Sequence, residues 1–189
     1  NLVSYGVDLY EVGIISGYLA ADLSQVHYVS LGCSSEIGET LLSGARFGAS
    51  NFDSEHDVTT RVEARPGTMA TAETSLPDVE LVAGCAKSFV ANDSVRAYIG
   101  YGRDNYLDTR FETAKNKIAT TVVPQLGSKI LEVVASDLEG DFIGGNLGSV
   151  TATYGNGLLA LSPDRDIAIN AETLTKLQTV VADYEATLK

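Results

Sequence analysis

The chain has 189 residues, of which 44% are hydrophobic and 20% are charged, a composition typical of a globular protein with a substantial core. Thirteen basic residues against 25 acidic ones give a formal net charge of −12. Such a charge repels phosphate backbones and anionic lipid, which argues against a nucleic-acid-binding protein. No apolar run approaches the roughly 18 residues of a membrane-spanning helix. The two cysteines and two histidines are not spaced as zinc ligands, so we expect no metal site.

Helices and strands alternate along the first two thirds of the chain. Asp8 precedes an apolar stripe, and together they predict a first helix. Gly13 and Gly17 lie four residues apart on this helix and favour its close packing against a sheet. Short runs of aliphatic and β-branched residues are typical of buried parallel strands. Such strands are predicted at 26–31, 57–64, 78–84, 95–101 and 117–123, with helices at 37–52 and 68–76.

The last third of the chain is less regular. Pro124 suits the first turn of a helix that runs to Gly140. Residues 140–157 are rich in glycine but lack the pattern of a phosphate-binding loop. Short strands are predicted at 150–153 and 158–161, and Asn170 caps a final amphipathic helix.

This alternation predicts an α/β protein with a three-layer, doubly wound, mostly parallel sheet. We divide the chain into an α/β lobe at 1–140 and a segment at 141–189 that packs on or beside it. Ligands of such sheets bind outside the carboxyl ends of the strands. The segments expected at this edge are Cys33–Glu36, Arg65–Thr68, Cys85–Phe89 and Tyr101–Tyr106.

Two cysteines, Cys33 and Cys85, follow predicted strands at this edge. A catalytic thiol needs a general base, but His27 begins a strand and His56 precedes one, so both belong to the opposite edge. We therefore do not expect a cysteine enzyme. The cysteines are either small buried residues or, if their strands are neighbours, a disulfide.

A polar cluster, Arg103-Asp104-Asn105-Tyr106, follows the predicted strand at 95–101. Asp and Asn side chains there are suited to hydrogen bonds with ligand hydroxyls, and a tyrosine ring can stack on a ligand ring. The alternative is a polar turn that caps the next element. The residues themselves leave both interpretations open.

Six segments of the chain share their order and character with those of a known family. They are NLVSYGVDLYEVGIISGYLAA (1–21), VHYVSLG (26–32), LLSGARFGASNF (41–52), AYIGYGRDNY (97–106), FIGGNLGSV (142–150) and YGNGLLALSP (154–163). In this order they resemble the basic membrane protein family of PnrA-like purine-nucleoside receptors. No single motif is diagnostic, and the resemblance rests on their collinearity. It implies the type 1 periplasmic-binding-protein fold, of which this chain would be the C-terminal portion, without the N-terminal lobe.

The resemblance also implies a function. The family comprises extracytoplasmic lipoproteins that bind substrates for ABC transporters. By this resemblance we expect a non-enzymatic protein that binds a nucleoside or sugar without a cofactor and delivers it to an ABC permease. Asp104 and Asn105 would hold ligand hydroxyls, and Tyr101, Tyr106 or Phe89 would lie against a ring. The remaining expected ligand-binding residues are Arg103, Lys87 and Ser34.

The chain departs from the family at several ligand-binding positions. Gly102 stands where the family has a ribose-binding Asp, Pro124 replaces a Lys, and a glycine loop becomes Gly84-Cys85-Ala86-Lys87. These departures favour an alternative function, an interaction or regulatory module with a degenerate pocket that dimerises through the exposed face of the lobe. A flavin-binding protein of flavodoxin-like topology is a third possibility, but the segment GCSSEIGE offers no clear phosphate cradle.

Overall fold

The computed structural model describes residues 4–32, 36–64, 76–82, 93–140, 149–163 and 166–188. Six strands in the order β3-β2-β4-β5-β6-β8 form the main sheet. The first five are mutually parallel, and β8 pairs antiparallel with β6. This mostly parallel sheet confirms the predicted fold class. The strands are β2 (Tyr28–Leu31), β3 (Arg61–Ala64), β4 (Val79–Val82), β5 (Ala97–Tyr101), β6 (Ile118–Pro124) and β8 (Leu159–Leu161).

A second, two-stranded sheet pairs the first described strand with a strand from the last third of the chain. Its strands, β1 (Ser4–Val7) and β7 (Ser149–Ala152), are parallel and pair Ser4 with Ser149 through Val7 with Ala152. Sequence reasoning predicted β7 but not β1. A turn after β7 leads into β8, so the same short stretch of chain connects this sheet to the main one.

The helices α1 (Leu9–Leu23), α2 (Glu36–His56) and α4 (Ala171–Thr187) form one helical layer. Nearly all of α1 is buried, because it packs on the main sheet and is covered by α2 and α4. Asp8 caps α1 by accepting a hydrogen bond from the Glu11 N–H at 3.0 Å, as predicted. The large side chains Ile14, Ile15, Tyr18 and Leu19 are completely buried there and form the centre of the core.

Close packing at Gly13 and Gly17 occurs against another helix, whereas the sequence favoured the sheet. Gly13 lies against Gly44 and Ala45 on α2, Gly17 lies against Ala45, and the two helix backbones are in direct contact. A Cβ atom at Gly13 would lie 2.9 Å from the Cα of Gly44. The prediction of close approach was therefore correct, but the partner was wrong, because spacing alone does not identify what a small-residue face contacts.

The opposite face of the sheet carries a smaller apolar cluster that includes Val82, Tyr98, Phe111 and Ile118. Phe111 belongs to a 3-10 helix, Thr109–Lys117, which was not predicted. The three layers expected from the sequence are therefore the helices α1, α2 and α4, the main sheet, and the 3-10 helix on the opposite face. The predicted helix at 68–76 lies almost entirely outside the described residues.

The region around Pro124 differs from the prediction. Pro124 is the last residue of β6, where it pairs with Leu159, and the helix α3 begins only at Gly127 and ends at Leu138. Proline is compatible with this place because β8 is a short strand at the edge of the main sheet and Pro124 closes the ladder. No residue of α3 is buried.

Candidate functional site

The carboxyl ends of β2 to β6 lie along one edge of the main sheet, because these five strands are parallel. This is the edge at which the sequence predicted a ligand site. Five of the residues named for it lie outside the described part of the chain: Cys33, Ser34, Cys85, Lys87 and Phe89. Whether Cys33 and Cys85 are small buried residues or form a disulfide therefore stays open, and the contribution of the other three side chains to a ligand site stays a prediction.

The loop after β5 begins with a turn that requires glycine. Gly102 has a φ of +105°, and its N–H donates to the Val122 carbonyl at 2.9 Å. A residue with a Cβ atom is strained in this conformation. This backbone geometry explains why residue 102 is glycine, whereas the family that the sequence resembles has an acidic residue at the corresponding position.

Asp104 caps the next turn. Its Oδ1 accepts a hydrogen bond from the Tyr106 N–H at 3.1 Å, and it is the N-cap of the 3-10 turn Asn105–Leu107. The capping role was one of the two interpretations that the sequence left open. Its carboxyl group is half-buried at the strand edge, so capping places a negative charge beside any ligand bound there.

Asn105 is buried against Gly100, near the end of β5, and Thr121, in the middle of β6. Its N–H donates to Thr121 Oγ1 at 3.2 Å, and its side chain fills the space beside Gly100. The side-chain Nδ2 is buried and has no hydrogen-bond partner. An unsatisfied buried donor of this kind costs about 1–3 kcal/mol, and a ligand oxygen that reached it would remove that cost.

The remaining described site residues surround this turn. Tyr101 is half-buried at the end of β5, where burial raises the pKa of its phenol. Tyr106 is half-buried, with the Lys115 Nζ 5.6 Å from the centre of its ring. Arg103 is exposed. The structure thus brings Tyr101, Asp104, Asn105 and Tyr106 into one loop at the strand edge.

Sequence reasoning missed the ion pair that closes this loop. Arg110 Nη2 lies 2.7 Å from Asp108 Oδ2, and hydrogen bonds from the Arg110 side chain and backbone lower the pKa of Asp108 to about 2. Asp108 also caps the 3-10 helix Thr109–Lys117 through the Arg110 N–H. The sequence Asp-Thr-Arg at the start of a polar stretch was the pattern from which this cap could have been predicted.

Sequence reasoning also did not predict two buried carboxyl groups. Burial raises the pKa of Glu80, in the middle of β4, to about 7. Glu11 on α1 is completely buried, and its pKa is likewise raised to about 7, chiefly by burial. An acidic residue inside an apolar strand, as in Val79-Glu80-Leu81-Val82, was the signal for the first. For the second, Glu11 lies three residues after Asp8, a spacing that local sequence rules explain as helix capping, so its burial left no separate signal.

Two cavities were found among the described residues. A very small one, about 10 Å³, lies beneath the strand ends between Ser16, Leu31 and Tyr101. A larger open groove of about 510 Å³ runs between α2 and α4, and Tyr10, Phe47 and Tyr184 line it. Neither cavity includes the loop from Gly102 to Asp108. Among the described residues, no group of His, Cys, Asp or Glu is arranged to hold a metal ion.

Comparison with solved structures identifies proteins of the same fold at low sequence identity. An ABC transporter solute-binding protein from Conexibacter woesei superposes with a TM-score of 0.67 at 10% identity, over 100% of this chain and 65% of that one. A solute-binding protein of an ABC transporter system from Aeropyrum pernix gives a TM-score of 0.54 at 14% identity, over 86% and 50%. A transcriptional activator of the comK gene from Bacillus halodurans gives 0.61 at 16% identity, over 99% and 65%.

These similarities indicate a fold like that of solute-binding proteins, which agrees with the periplasmic-binding-protein fold expected from the family resemblance. The chain spans 50–65% of the length of these solved proteins. No protein-family model matches the sequence, and no curated protein matches it. The nucleoside-receptor family therefore stays a prediction. Within the described residues, no helix is both long and apolar enough to cross a bilayer.

Proposed function

We propose that the chain is a non-enzymatic solute-binding module that holds a small polar ligand at the carboxyl edge of its main sheet. The observation that carries this proposal is the polar loop at the end of β5, in a fold shared with two ABC solute-binding proteins. Edges of this kind are where ligands bind in doubly wound sheets. By the same likeness, the partner would be an ABC permease and the location extracytoplasmic.

The chemistry of the loop favours a ligand rich in hydroxyl groups, such as a nucleoside or a sugar. Asp104 presents a half-buried carboxyl group that accepts hydrogen bonds. Asn105 holds a buried amide donor without a partner, which suits a ligand oxygen. Tyr101 and Tyr106 supply half-buried rings on the two sides of the turn. These groups together suit a ring that carries hydroxyls better than they suit an anion, because the chain carries a net charge of −12.

Calorimetry of the purified chain against purine nucleosides, pyrimidine nucleosides and pentoses tests this proposal. Asp104→Asn keeps the capping oxygen but removes the charge, and Asn105→Asp keeps the shape but removes the donor. Asp104→Asn should weaken binding by about tenfold or more, since a hydrogen bond to a charged group contributes about 1.5–3 kcal/mol. Asn105→Asp should weaken binding by about tenfold, since it leaves a buried ligand oxygen without its donor, at a cost of about 1–3 kcal/mol. Thr109→Ala, at an exposed position just beyond the loop, is the matched control and should bind normally. Absence of heat with every compound, or equal binding by all variants, would reject the proposal.

A second candidate function, an interaction module that dimerises, is favoured by the surface of α3. Its side chains Ile130, Leu131, Val134 and Leu138 are exposed, and Tyr5 Oη, which donates to the Lys129 carbonyl at 3.2 Å, ties α3 to the two-stranded sheet. Both strands of that sheet are edge strands among the described residues, and edge strands pair readily with further chains. Light scattering at high salt, where the negative charge is screened, distinguishes the two functions. A monomer at all concentrations counts against dimerisation.

A further inference from the structure

Two carboxyl groups from different helices bind successive N–H groups of one turn. Glu11 on α1 accepts a hydrogen bond at Oε1 from the Tyr154 N–H, at 2.5 Å. Glu185 on α4 accepts one at Oε1 from the neighbouring Gly155 N–H, at 2.8 Å. Tyr154 and Gly155 belong to the turn that leads from β7 to β8. The turn therefore holds the two carboxyl groups close together.

The position of Glu11 makes its charge unfavourable. The side chain is completely inaccessible to solvent, and its Oε2 has no hydrogen-bond partner. The groups that shift its pKa are Asp8 from the start of α1, Glu185 from α4 and the Tyr154 N–H from the turn. Tyr184, also on α4, donates its hydroxyl hydrogen to Asp8 at 3.2 Å. None of these groups carries a positive charge. The Tyr154 N–H lowers the pKa of Glu11, but it offsets the effects of burial and of the two neighbouring carboxyl groups only in part.

The turn that Glu11 and Glu185 bind connects the two sheets of the molecule. β7 pairs with β1 in the small sheet, and β8 pairs with β6 in the main sheet. Contacts that hold the turn against α1 and α4 therefore also hold the small sheet in place. Any loss of these contacts would loosen the small sheet and the C-terminal end of α4 together.

We propose that Glu11 and Glu185 form a proton-dependent latch that holds the turn between β7 and β8, and with it the small sheet, against α1 and α4. Protonated Glu11 keeps the latch closed because a neutral carboxyl group tolerates burial beside Glu185 and Asp8. Ionised Glu11 repels both neighbours and gains by reaching water. The latch does not depend on the proposed ligand, and it can be tested without one.

The direction of the pH effect follows from the pKa of Glu11. Burial and the neighbouring carboxylates raise that pKa from 4.5 to about 7 in the closed form. An acid whose pKa is raised in the closed form stabilises that form at low pH, and this stabilisation is lost as the pH rises toward the raised value. Between these two pKa values each pH unit should favour opening by about tenfold, and above the higher value opening should level off.

Hydrogen exchange of the Tyr154 and Gly155 amides between pH 5 and pH 8 tests the latch, after correction for the intrinsic effect of pH on exchange. In the wild type, protection should fall by at least tenfold as the pH approaches 7. Glu11→Gln keeps the acceptor oxygen but cannot ionise, so its protection should not depend on pH. Glu39→Gln, an exposed glutamate on α2, is the control and should follow the wild type. Constant protection in the wild type, or an unchanged pH profile in Glu11→Gln, would overturn the proposal.

A second variant keeps the test decisive if Glu11→Gln does not fold. Glu185→Gln removes a neighbouring negative charge, so protection should level off at a lower pH than in the wild type. Carboxyl-carbon NMR of the glutamates measures the same midpoint directly, because Glu11 should titrate near pH 7. A midpoint for Glu11 that does not shift in Glu185→Gln would also overturn the latch.

Discussion

Replacing Gly17 with alanine tests the contact between α1 and α2 most directly. A Cβ atom at this position would lie 2.5 Å from the Cα and 2.6 Å from the carbonyl carbon of Ala45, and closer still to its oxygen. Ordinary contacts between carbon atoms are about 3.5–4.0 Å long, so the two helices would have to separate by roughly 1 Å. Because all three atoms belong to the backbone of α2, no side-chain rotation can relieve the overlap.

The energetic cost can be estimated from this geometry. Overpacking a well-filled core typically costs about 1–3 kcal/mol, and a clash with a helix backbone belongs at the upper end of that range. The higher helix propensity of alanine offsets about 1 kcal/mol of this cost. We therefore expect Gly17→Ala to lower the free energy of unfolding by about 2 kcal/mol, which for a chain of this size lowers Tm by about 4–8 °C.

Urea unfolding followed by circular dichroism measures the effect, with Gly127→Ala as the matched control. Gly127 is the first residue of α3, and a Cβ atom there would meet nothing within 4 Å. The control should therefore unfold at the same urea concentration as the wild type or at a slightly higher one. If Gly17→Ala were as stable as Gly127→Ala, the helices would not cross at backbone contact and this account of the core would be wrong.

Two further substitutions test other parts of the fold. Asp78 accepts hydrogen bonds from the Ser24 hydroxyl at 2.6 Å and the Gln25 N–H at 2.7 Å, so Asp78→Ala should lower the free energy of unfolding by about 2–3 kcal/mol in a urea titration. The exposed Asp93→Ala is its control, and equal losses in the two would contradict the role of Asp78. Gly100→Ala would place a Cβ atom 2.7 Å from the Asn105 Cγ and should displace that side chain, abolishing any ligand binding in calorimetry. Unchanged affinity in this variant would exclude Asn105 from the site.

Local patterns in the sequence predicted most of the main sheet. Strands β2, β4, β5 and β6 overlap the segments expected from short apolar runs, because a strand buried on both faces is mostly apolar. The strand predicted at 57–64 is limited to Arg61–Ala64 because residues 57–60 form the turn after α2: Asp57 has a φ of +52°, and the Thr60 N–H donates to Asp53 Oδ2 at 2.6 Å. The apolar spacing of α2 fades before its end, and hydrophobic periodicity no longer reports a helix once its last turns leave the core.

The candidate site was predicted only in part. The position of the loop after β5 follows from strand order, since the carboxyl ends of parallel strands meet at one edge. The roles within the loop depend on single hydrogen bonds, such as the one from the Tyr106 N–H to Asp104. Asn105 is buried because the turn folds it back over Gly100, and composition carries no information about this.

Local patterns were sufficient to predict the α/β alternation, the layers of the fold and the sheet edge that we propose as the ligand site, because these follow from the period of apolar residues and from local capping. The pairing of β1 with β7, the antiparallel direction of β8 and the contact between Glu11 and a turn 143 residues away became evident only in the folded structure. Such contacts are chosen by the mutual fit of surfaces distant along the chain. No local pattern records that fit, and the same glutamate would be an ordinary residue of the first helical turn if α4 and the turn did not cover it.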